Sequence, residues 1–430
     1  MIISKRGKVI TSLILIFFGV VYLYVFLLQP ENSYFGYKKI SFDVRYFLWV
    51  FIFGGLTLFY VPKTYDRPSS FFVLLQILLC VMPFVILPVI YGGDVWDWQS
   101  VLIYFVIFLP IVIVTSVSRV KVNKTLIFNL NLKLNSKSMF FIVSLFCLFV
   151  ILLALSNAPS SAGFSFATSY VRRLEGRDCY PAGSFIAYSI SIVMNGLAPL
   201  LAFWAGCYRE KFKVLIPIII WLSFYYLIGI KFPLFMIVLS YFFGEFCMRG
   251  ESFRIINLLM VSLLALVFLS FIESVFSEYS YVADYLLRRP FTLPSFIISA
   301  FQHFISDAYN HNDWFLFSGY TGVGDVTFYV GEHFLGHAGM NANTNAFLVA
   351  LASGGVIKYV VTCLIVSVYF KVIDEVYLKH KKKSMLFCGF IYSLLLMEQS
   401  ATTIFLSSGI MFVFILSLIT SENRGAYFDN

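Results

Sequence analysis

The stretch VITSLILIFFGVVYLYVFLLQ, residues 9–29, holds 21 residues without a charged side chain. About 20 apolar residues form a helix long enough to cross the hydrocarbon core of a bilayer. The stretch follows Lys5, Arg6 and Lys8, as the apolar part of a signal peptide does. However, it runs into Gln-Pro-Glu-Asn without a small-residue cleavage site, and more apolar runs follow. We therefore predict a retained first transmembrane helix.

Similar apolar runs repeat along the whole chain of 430 residues, of which 60% are hydrophobic and only 12% are charged. Soluble domains carry about 25% charged residues, so this composition excludes an ordinary soluble fold. We predict an all-α polytopic membrane protein with a single transmembrane domain over residues 1–430. The pattern indicates about twelve transmembrane helices, at residues 9–28, 46–62, 71–91, 101–117, 139–156, 184–207, 214–230, 232–247, 255–276, 345–370, 385–397 and 402–420.

Basic residues are concentrated in alternate loops, which predicts the orientation of these helices. The basic loops contain Lys63, Arg67, Arg119, Lys121, Lys124, Lys133, Lys137, Arg209, Lys211, Lys213, Arg249, Arg254, Lys371, Lys379, Lys381, Lys382 and Lys383. A loop of the other set, residues 91–100, has two acids and no base. The positive-inside rule places the basic loops and both termini in the cytoplasm. The same bias explains the net charge of +9 without a nucleic-acid partner.

Two long polar segments, residues 157–183 and 277–344, then fall on the same outer face of the membrane. The second contains 68 residues, whereas structureless connections longer than about 12–15 residues are uncommon. We expect it to contain short helices near the membrane interface. We also expect the two segments to build one functional site together.

Cysteine usage and histidine spacing bear on metal binding. The seven cysteines show no Cys-x-x-Cys pairing, so the sequence predicts neither a disulfide framework nor a zinc site. His303, Asp307 and His311 are four residues apart and would share a helical face, a spacing that could also suit a metal ion. Because no second shell is identifiable, we expect no bound metal and no cofactor.

The first outer segment contains a cluster of arginines in SYVRRLEGRDCY, namely Arg172, Arg173 and Arg177. Arginines on the outer side of a membrane suit an anion such as a lipid-linked phosphate, which guanidinium binds through paired hydrogen bonds. The alternative is that these arginines pair with Glu175, Asp178 and lipid headgroups.

The second outer segment begins with another arginine pair, Arg288 and Arg289, and continues into QHFISDAYNHNDW. That stretch supplies Asp307, His311 and Asp313 as candidate acids and bases. The pKa of about 6.5 of an unperturbed histidine suits either phosphate binding or general-base catalysis.

Further along, residues 321–347 read TGVGDVTFYVGEHFLGHAGMNANTNAF and interleave glycines with polar side chains. Glycines let a ligand approach the backbone, and amides and carboxylates hydrogen-bond to sugar hydroxyls. The segment therefore favours saccharide recognition by side chains that include Glu332, His333, His337 and Asn343. The alternative is a glycine-rich surface loop in which Asn343 or Thr344 caps the helix that follows.

Two isolated ionisable residues, Lys231 and Glu398, lie where predicted helices meet the outer face. We interpret Lys231 as a side chain that extends to the membrane surface, and both residues remain candidates for the floor of the site.

These residues resemble the O-antigen polymerase (Wzy-type) family, which joins oligosaccharide repeat units carried on undecaprenyl pyrophosphate. Its members are polytopic, with an Arg-x10-Gly pattern in one large periplasmic loop and a His-x10-Gly pattern in another. Here Arg172 precedes Gly183 by that spacing, and His311 precedes Gly322. The segment RRPFTLP, residues 288–294, is also similar to the family's Arg-Arg-aromatic-Pro pattern. In contrast, Lys231 in GIKFP departs from the Ser-Arg-Gly turn common in relatives.

The resemblance implies a membrane-embedded glycosyltransferase of the GT-C type in the bacterial inner membrane, with its active site facing the periplasm. Its substrates would be undecaprenyl-pyrophosphate-linked oligosaccharides, and a chain-length regulator protein is a candidate partner. The expected catalytic residues are His311, Arg172, Arg289 and Asp313. The expected substrate-binding residues are Arg173, Arg177, Arg288, Asp307, Glu332, His333, His337, Asn343 and Lys231.

Two other functions stay open. An O-antigen ligase is similar in fold and donor but transfers the finished chain to the lipid A core. A polysaccharide flippase or other transporter is also polytopic, but it should carry charges inside its spans, and the predicted spans are almost uncharged. No inverted pair of broken helices, typical of many transporters, is evident in the sequence.

Overall fold

The computed structural model describes residues 4–120, 134–277, 279–312, 314–337 and 339–421. Three bases of one predicted cytoplasmic loop, Lys121, Lys124 and Lys133, lie outside the described residues, as does the predicted catalytic residue Asp313.

The described residues fold almost entirely into helices, which we number in chain order. They are α1 Lys5–Glu31, α2 Val44–Phe59, α3 Pro68–Ile86, α4 Trp98–Arg119, α5 Ser136–Leu155, α6 Ser169–Cys179, α7 Phe185–Cys207, α8 Lys211–Ile228, α9 Phe232–Met248, α10 Phe253–Ser277, α11 Leu293–His311, α12 Phe315–Ser318, α13 Val326–His333, α14 Ala346–His380, α15 Lys383–Leu395, α16 Ala401–Leu406 and α17 Ile410–Ile419. A π-helical segment, Ala283–Thr292, leads into α11. Two short parallel strands, Leu134–Asn135 and Thr420–Ser421, pair with each other.

Within the described residues, eight helices are long and apolar enough to cross a membrane: α1, α3, α4, α5, α7, α8, α10 and α14. Four shorter apolar helices, α2, α9, α15 and α17, accompany them. Each of the twelve predicted apolar runs falls on one of these helices. The chain is therefore an all-helical, multi-pass membrane protein, and the number of twelve crossings stays a prediction.

Large apolar side chains remain exposed on the flanks of these helices. On α5, Phe141 and Leu148 are exposed, and on α10, Phe268 and Val275 are exposed. Such faces would be costly in water but are at home in hydrocarbon, where the helix satisfies its own backbone hydrogen bonds. The exposed apolar faces therefore support a lipid environment for the protein.

The chain divides into two compact units. The first unit comprises Met1–Lys121, Ile256–Asp374 and Ser393–Ala401. The second comprises Val122–Ile255, Glu375–Tyr392 and Thr402–Asn430. The first outer segment, 157–183, lies in the second unit, and the outer segment 277–344 lies in the first. The interpretation of the chain as one domain stays a prediction.

Helix α14 differs from the continuous helix predicted at residues 345–370, because its backbone breaks at Gly354 and Gly355. Gly355 has φ 62° and ψ −165°, a conformation that only glycine adopts readily. The part before the break is largely buried, whereas the part after it exposes Ile357, Val361 and Leu364. The apolar exposed face therefore begins after the break.

The helix predicted at residues 402–420 is also interrupted. Two shorter helices, α16 and α17, form in its place. The amides of Ser407 and Ser408 both donate to the carbonyl of Thr403, which ends α16. Gly409 then turns the chain with φ 81° and precedes α17. A continuous apolar run did not reveal this break, because serine and glycine are tolerated inside apolar helices.

Candidate functional site

The arginine cluster of the first outer segment lies on α6, and one face of this helix packs against the end of α8. A Cβ atom on Gly176 would lie 2.7 Å from the side chain of Ile228. At the other end of the contact, a Cβ on Gly229 would lie 2.6 Å from the carbonyl oxygen of Ser169. Ser169, Arg172 and Gly176 share a helical face, so this close packing presses Arg172 against α8.

Arg172 is completely buried, with 0% of its surface exposed. Its Nη1 donates to Thr168 Oγ1 at 3.0 Å, and its guanidinium carbon lies 5.2 Å from the centroid of the Tyr225 ring. Nε and Nη2 are buried and have no hydrogen-bond partner among the described residues. No described carboxylate forms a salt bridge with Arg172 either.

This arrangement is energetically unfavourable unless a hydrogen-bond acceptor from outside the described residues, such as an anion, completes it. A buried donor without a partner costs about 1–3 kcal/mol, and more when it is charged. The ring of Tyr225 offsets part of that cost through a cation–π interaction. Nε and Nη2 lie side by side on the guanidinium, and their N–H groups are the paired donors that two oxygens of a phosphate or pyrophosphate would accept from.

Glu175, one of the alternative partners considered for the arginines, is engaged elsewhere. Its carboxylate accepts from the backbone N–H of Ser161 at 3.0 Å and from the hydroxyl of Ser160 at 3.1 Å. Hydrogen bonds from Ser161 hold the pKa of Glu175 below its usual range. Glu175 therefore ties α6 to the preceding loop, while Arg173 and Arg177 lie exposed on the opposite face of the helix.

Lys231 lies at the start of α9, also in the second unit. Its ammonium nitrogen is 3.1 Å from the centroid of the Phe166 ring, which is itself 67% exposed. The lysine therefore packs on an aromatic ring of the first outer segment instead of only extending toward the surface.

The glycine of the Arg-x10-Gly pattern has a local structural role. Gly183 adopts φ 89° in the turn before α7, where the Ser184 side chain accepts from the amide of Ala187. The pattern therefore joins a buried arginine to the turn that begins the next apolar helix.

In the first unit, Arg288 is held within the protein. Its Nε lies 3.0 Å from Asp284 Oδ1, and its Nη1 donates to Asn32 Oδ1 at 2.9 Å. Asn32 also donates to Asp284, so the three side chains form a closed network between the end of α1 and the π-helical segment. These partners account for Arg288 without a ligand, and its substrate-binding role stays a prediction.

Arg289, the next residue, is exposed and has no hydrogen bond or ion pair to a described residue. Its charge acts on Glu398, which follows α15. Burial raises the pKa of Glu398, and the positive charge of Arg289 opposes that rise. Although many protein atoms surround its carboxyl group, Glu398 is exposed to solvent.

His311 ends α11 and is 77% exposed, beside Asp307 at 59%. Its Nδ1 lies 2.7 Å from the backbone carbonyl of Asp307 and 3.6 Å from that residue's carboxylate. His303 is half-buried instead, with Nε2 3.0 Å from the carbonyl of Gly92. Among the described residues, no group of three potential ligands is placed to hold a metal ion.

The two remaining histidine candidates of the second outer segment, His333 and His337, stack on different aromatic rings. His333 stacks on Tyr329 at 4.2 Å between ring centroids, and His337 stacks on Phe35 at 5.2 Å. Glu332 and Asn343 are exposed.

The helix cap predicted at Asn343 or Thr344 is formed by Asn345. Its Oδ1 accepts from the amide of Phe347 at 3.1 Å, and its Nδ2 donates to Gln76 Oε1 at 3.1 Å. Asn345 can do both because it is buried against α3, so a tertiary contact determines which residue of the polar run caps α14.

The sequence analysis did not identify four side chains that contact the candidate arginines: Thr168, Tyr225, Asn32 and Asp284. Thr168 lies one helical turn before Arg172, and Asp284 one turn before Arg288, so their spacing is a usable signal. Tyr225 and Asn32 are distant in sequence from the arginines that they contact, so no spacing pattern indicates them. Comparison of this chain with protein-family models, with curated proteins and with solved structures gives no match.

Proposed function

We propose that this protein is a polysaccharide polymerase, a membrane glycosyltransferase that joins oligosaccharide repeat units carried on undecaprenyl pyrophosphate. The observation that supports this proposal most is Arg172, a fully buried arginine whose Nε and Nη2 have no hydrogen-bond partner among the described residues. An anionic ligand would satisfy these groups, and a lipid-linked pyrophosphate brings such an anion to a membrane protein.

The reaction requires little more than binding and charge stabilisation. A hydroxyl oxygen of the acceptor repeat unit attacks the anomeric carbon of the donor glycan and forms the new glycosidic bond. The bond from that carbon to pyrophosphate breaks, and the pyrophosphate leaves with the electron pair. The acceptor proton passes to a carboxylate or imidazole base. Arginines would stabilise the departing charge, which is the largest single contribution in reactions of this kind.

The arrangement in each unit favours particular residues for these roles. Arg172 is the phosphate ligand in the second unit, and Arg289 is the exposed arginine in the first. His311 and Asp307 are accessible bases, and Glu398 is a further one beside Arg289. Catalysis at the periplasmic face of the inner membrane is part of the same proposal, as are twelve crossings and a GT-C-like fold.

A transporter of lipid-linked saccharides is the second candidate. The breaks at Gly354–Gly355 in α14 and between α16 and α17 favour it, because interrupted membrane helices often form transport sites. An O-antigen ligase is a third candidate function for the same anion site.

Deletion of the gene in its native host, followed by electrophoresis of the lipopolysaccharide, distinguishes a polymerase from the other two candidates. Loss of a polymerase leaves a single repeat unit on the lipid A core. Loss of a ligase or of a transporter leaves the core without any repeat unit, and this pattern would overturn the proposal. Restoration of the long-chain ladder by the wild-type gene serves as the control.

A further inference from the structure

A short arch follows His311 and consists, in the described residues, of Asn312 and residues 314–319. Its first end is anchored to α11. The amide of Asn312 donates to the carbonyl of Ala308 at 3.0 Å. Its side-chain Oδ1 in turn accepts from the amide of Trp314 at 3.0 Å. Phe315 is buried, and its ring packs edge-on against Phe304 at 5.5 Å between centroids. The start of the arch is therefore fixed.

The second end of the arch is docked into the break of α14 by two glycines. Gly319 has φ 70° and ψ −163°, nearly the same conformation as Gly355. A Cβ on Gly319 would lie 2.4 Å from the amide nitrogen of Gly354, and a Cβ on Gly355 would lie 2.4 Å from the carbonyl oxygen of Phe317. The amide of Tyr320 donates to the carbonyl of Ala352 at 2.8 Å. Any other residue at either glycine would force the two backbones apart.

Between these anchors the arch displays two aromatic rings. Trp314 is 71% exposed and Phe317 is 58% exposed, with ring centroids 5.9 Å apart. Within three residues of them in the chain are the exposed polar side chains of His311, Asn312 and Ser318. Rings held open by a fixed backbone and flanked by hydrogen-bonding groups match what a sugar ring requires, because its C–H face packs on an aromatic face while its hydroxyls bind polar groups.

We propose that the arch is a glycan-binding subsite in which Trp314 and Phe317 contact a sugar ring, and that Gly319 and Gly355 are positioning residues that hold it. This inference rests on the proposed function for the identity of the glycan. A lipid contact for the two rings is the competing outcome.

The subsite is tested with the lipid-linked repeat unit extracted from cells that lack this gene, added to purified protein in liposomes. Trp314→Ala should raise the KM for this substrate about tenfold with little change in kcat, and Trp314→Phe should restore most of the affinity. Phe276→Ala removes a ring that is 85% exposed on α10 and is the matched control, with an unchanged KM. An unchanged KM in Trp314→Ala would overturn the subsite while leaving the polymerase activity intact.

A binding measurement separates this inference from the proposed function. The repeat-unit oligosaccharide, released from its lipid, should change the tryptophan fluorescence of the wild-type protein. Trp314→Phe should remove that change. If the fluorescence responds but no chain is elongated, the subsite stands and the polymerase proposal fails. If Trp314→Phe responds like the wild type, the subsite fails.

The glycine contact has its own test by hydrogen exchange of the Tyr320 amide. Gly319→Ala should speed its exchange at least tenfold and raise the KM as Trp314→Ala does. Gly324→Ala is the matched control, because Gly324 also has a positive φ of 88° but has open space around it. Equal effects of the two substitutions on both measurements would show that backbone strain alone is responsible, which contradicts a docking role.

Discussion

The guanidinium of Arg172 rests on the ring of Tyr225 at 5.2 Å, and no described carboxylate pairs with it. A buried cation is normally neutralised by a carboxylate, because its desolvation is costly. Here the described residues supply an aromatic face and one threonine hydroxyl and leave Nε and Nη2 without a hydrogen-bond partner. This arrangement is the basis for our proposal that Arg172 binds an anionic ligand.

Arg172→Met should separate stability from function. Methionine keeps most of the volume and removes the unpaired charge, so the ligand-free variant should unfold at the same temperature as the wild type or at a higher one. Synthesis of long-chain polysaccharide should fall by about a hundredfold or more, as expected for loss of a group that stabilises developing charge. Thermal unfolding in detergent and the lipopolysaccharide ladder measure the two effects. Arg119→Met, at an exposed position at the end of α4 on the predicted cytoplasmic side, is the control. A marked loss of stability in Arg172→Met alone would indicate a purely structural arginine.

The neighbours Arg288 and Arg289 should behave differently when each is replaced by alanine. Arg288→Ala removes the ion pair to Asp284 and the hydrogen bond to Asn32, and the free energy of unfolding should fall by about 1–3 kcal/mol. Arg289→Ala removes an exposed side chain, so stability should change by less than about 0.5 kcal/mol while polymer synthesis is lost. Protein yield and unfolding temperature are measured beside the ladder. Normal ladders in Arg289→Ala would remove this residue from the site.

Glu398 should govern the pH dependence of the reaction if it is the base. A base works only when deprotonated, and because burial raises the pKa of Glu398, activity should fall as the pH drops through that raised value. Glu398→Gln should abolish the acidic limb of the pH profile together with most of the activity. Arg289→Lys keeps the neighbouring positive charge and should retain the limb. An unaltered profile in Glu398→Gln would assign the base to His311 or Asp307.

Asn345→Ala should destabilise the start of α14 by about 1 kcal/mol through loss of the helix cap. Loss of the hydrogen bond to the buried Gln76 should add to that effect. Asn343→Ala, at an exposed position two residues earlier, should be neutral. Hydrogen exchange of the first turn of α14 measures both, and equal exchange in the two variants would contradict the assignment of the cap.

Much of the fold is predictable from the sequence, because long apolar runs such as residues 9–29 have few alternatives to a membrane helix. The breaks at Gly354–Gly355 and before Gly409 were not predictable. Each depends on contacts between distant backbones, such as that of Gly319 with Gly354, which leave no periodic signal in the chain.

The candidate site is predictable to a lesser degree. Arginine density in an outer segment pointed to Arg172, but its burial follows from the close packing of Gly176 and Gly229 between α6 and α8. The different environments of Arg288 and Arg289 depend on Asn32, which is more than two hundred residues away. Residue type alone identifies candidate arginines. Only tertiary contacts distinguish an arginine that is paired within the protein from one whose donors remain unpaired among the described residues.

The central claim is tested most directly by incubating the purified protein in liposomes with the undecaprenyl-pyrophosphate-linked repeat unit. Chain length and released undecaprenyl pyrophosphate are then measured together. The account predicts that wild-type protein produces glycans of two or more repeat units and one released pyrophosphate lipid per bond, and that Arg172→Met does neither. Unchanged substrate in the presence of correctly folded wild-type protein, or equal elongation by Arg172→Met, would contradict it.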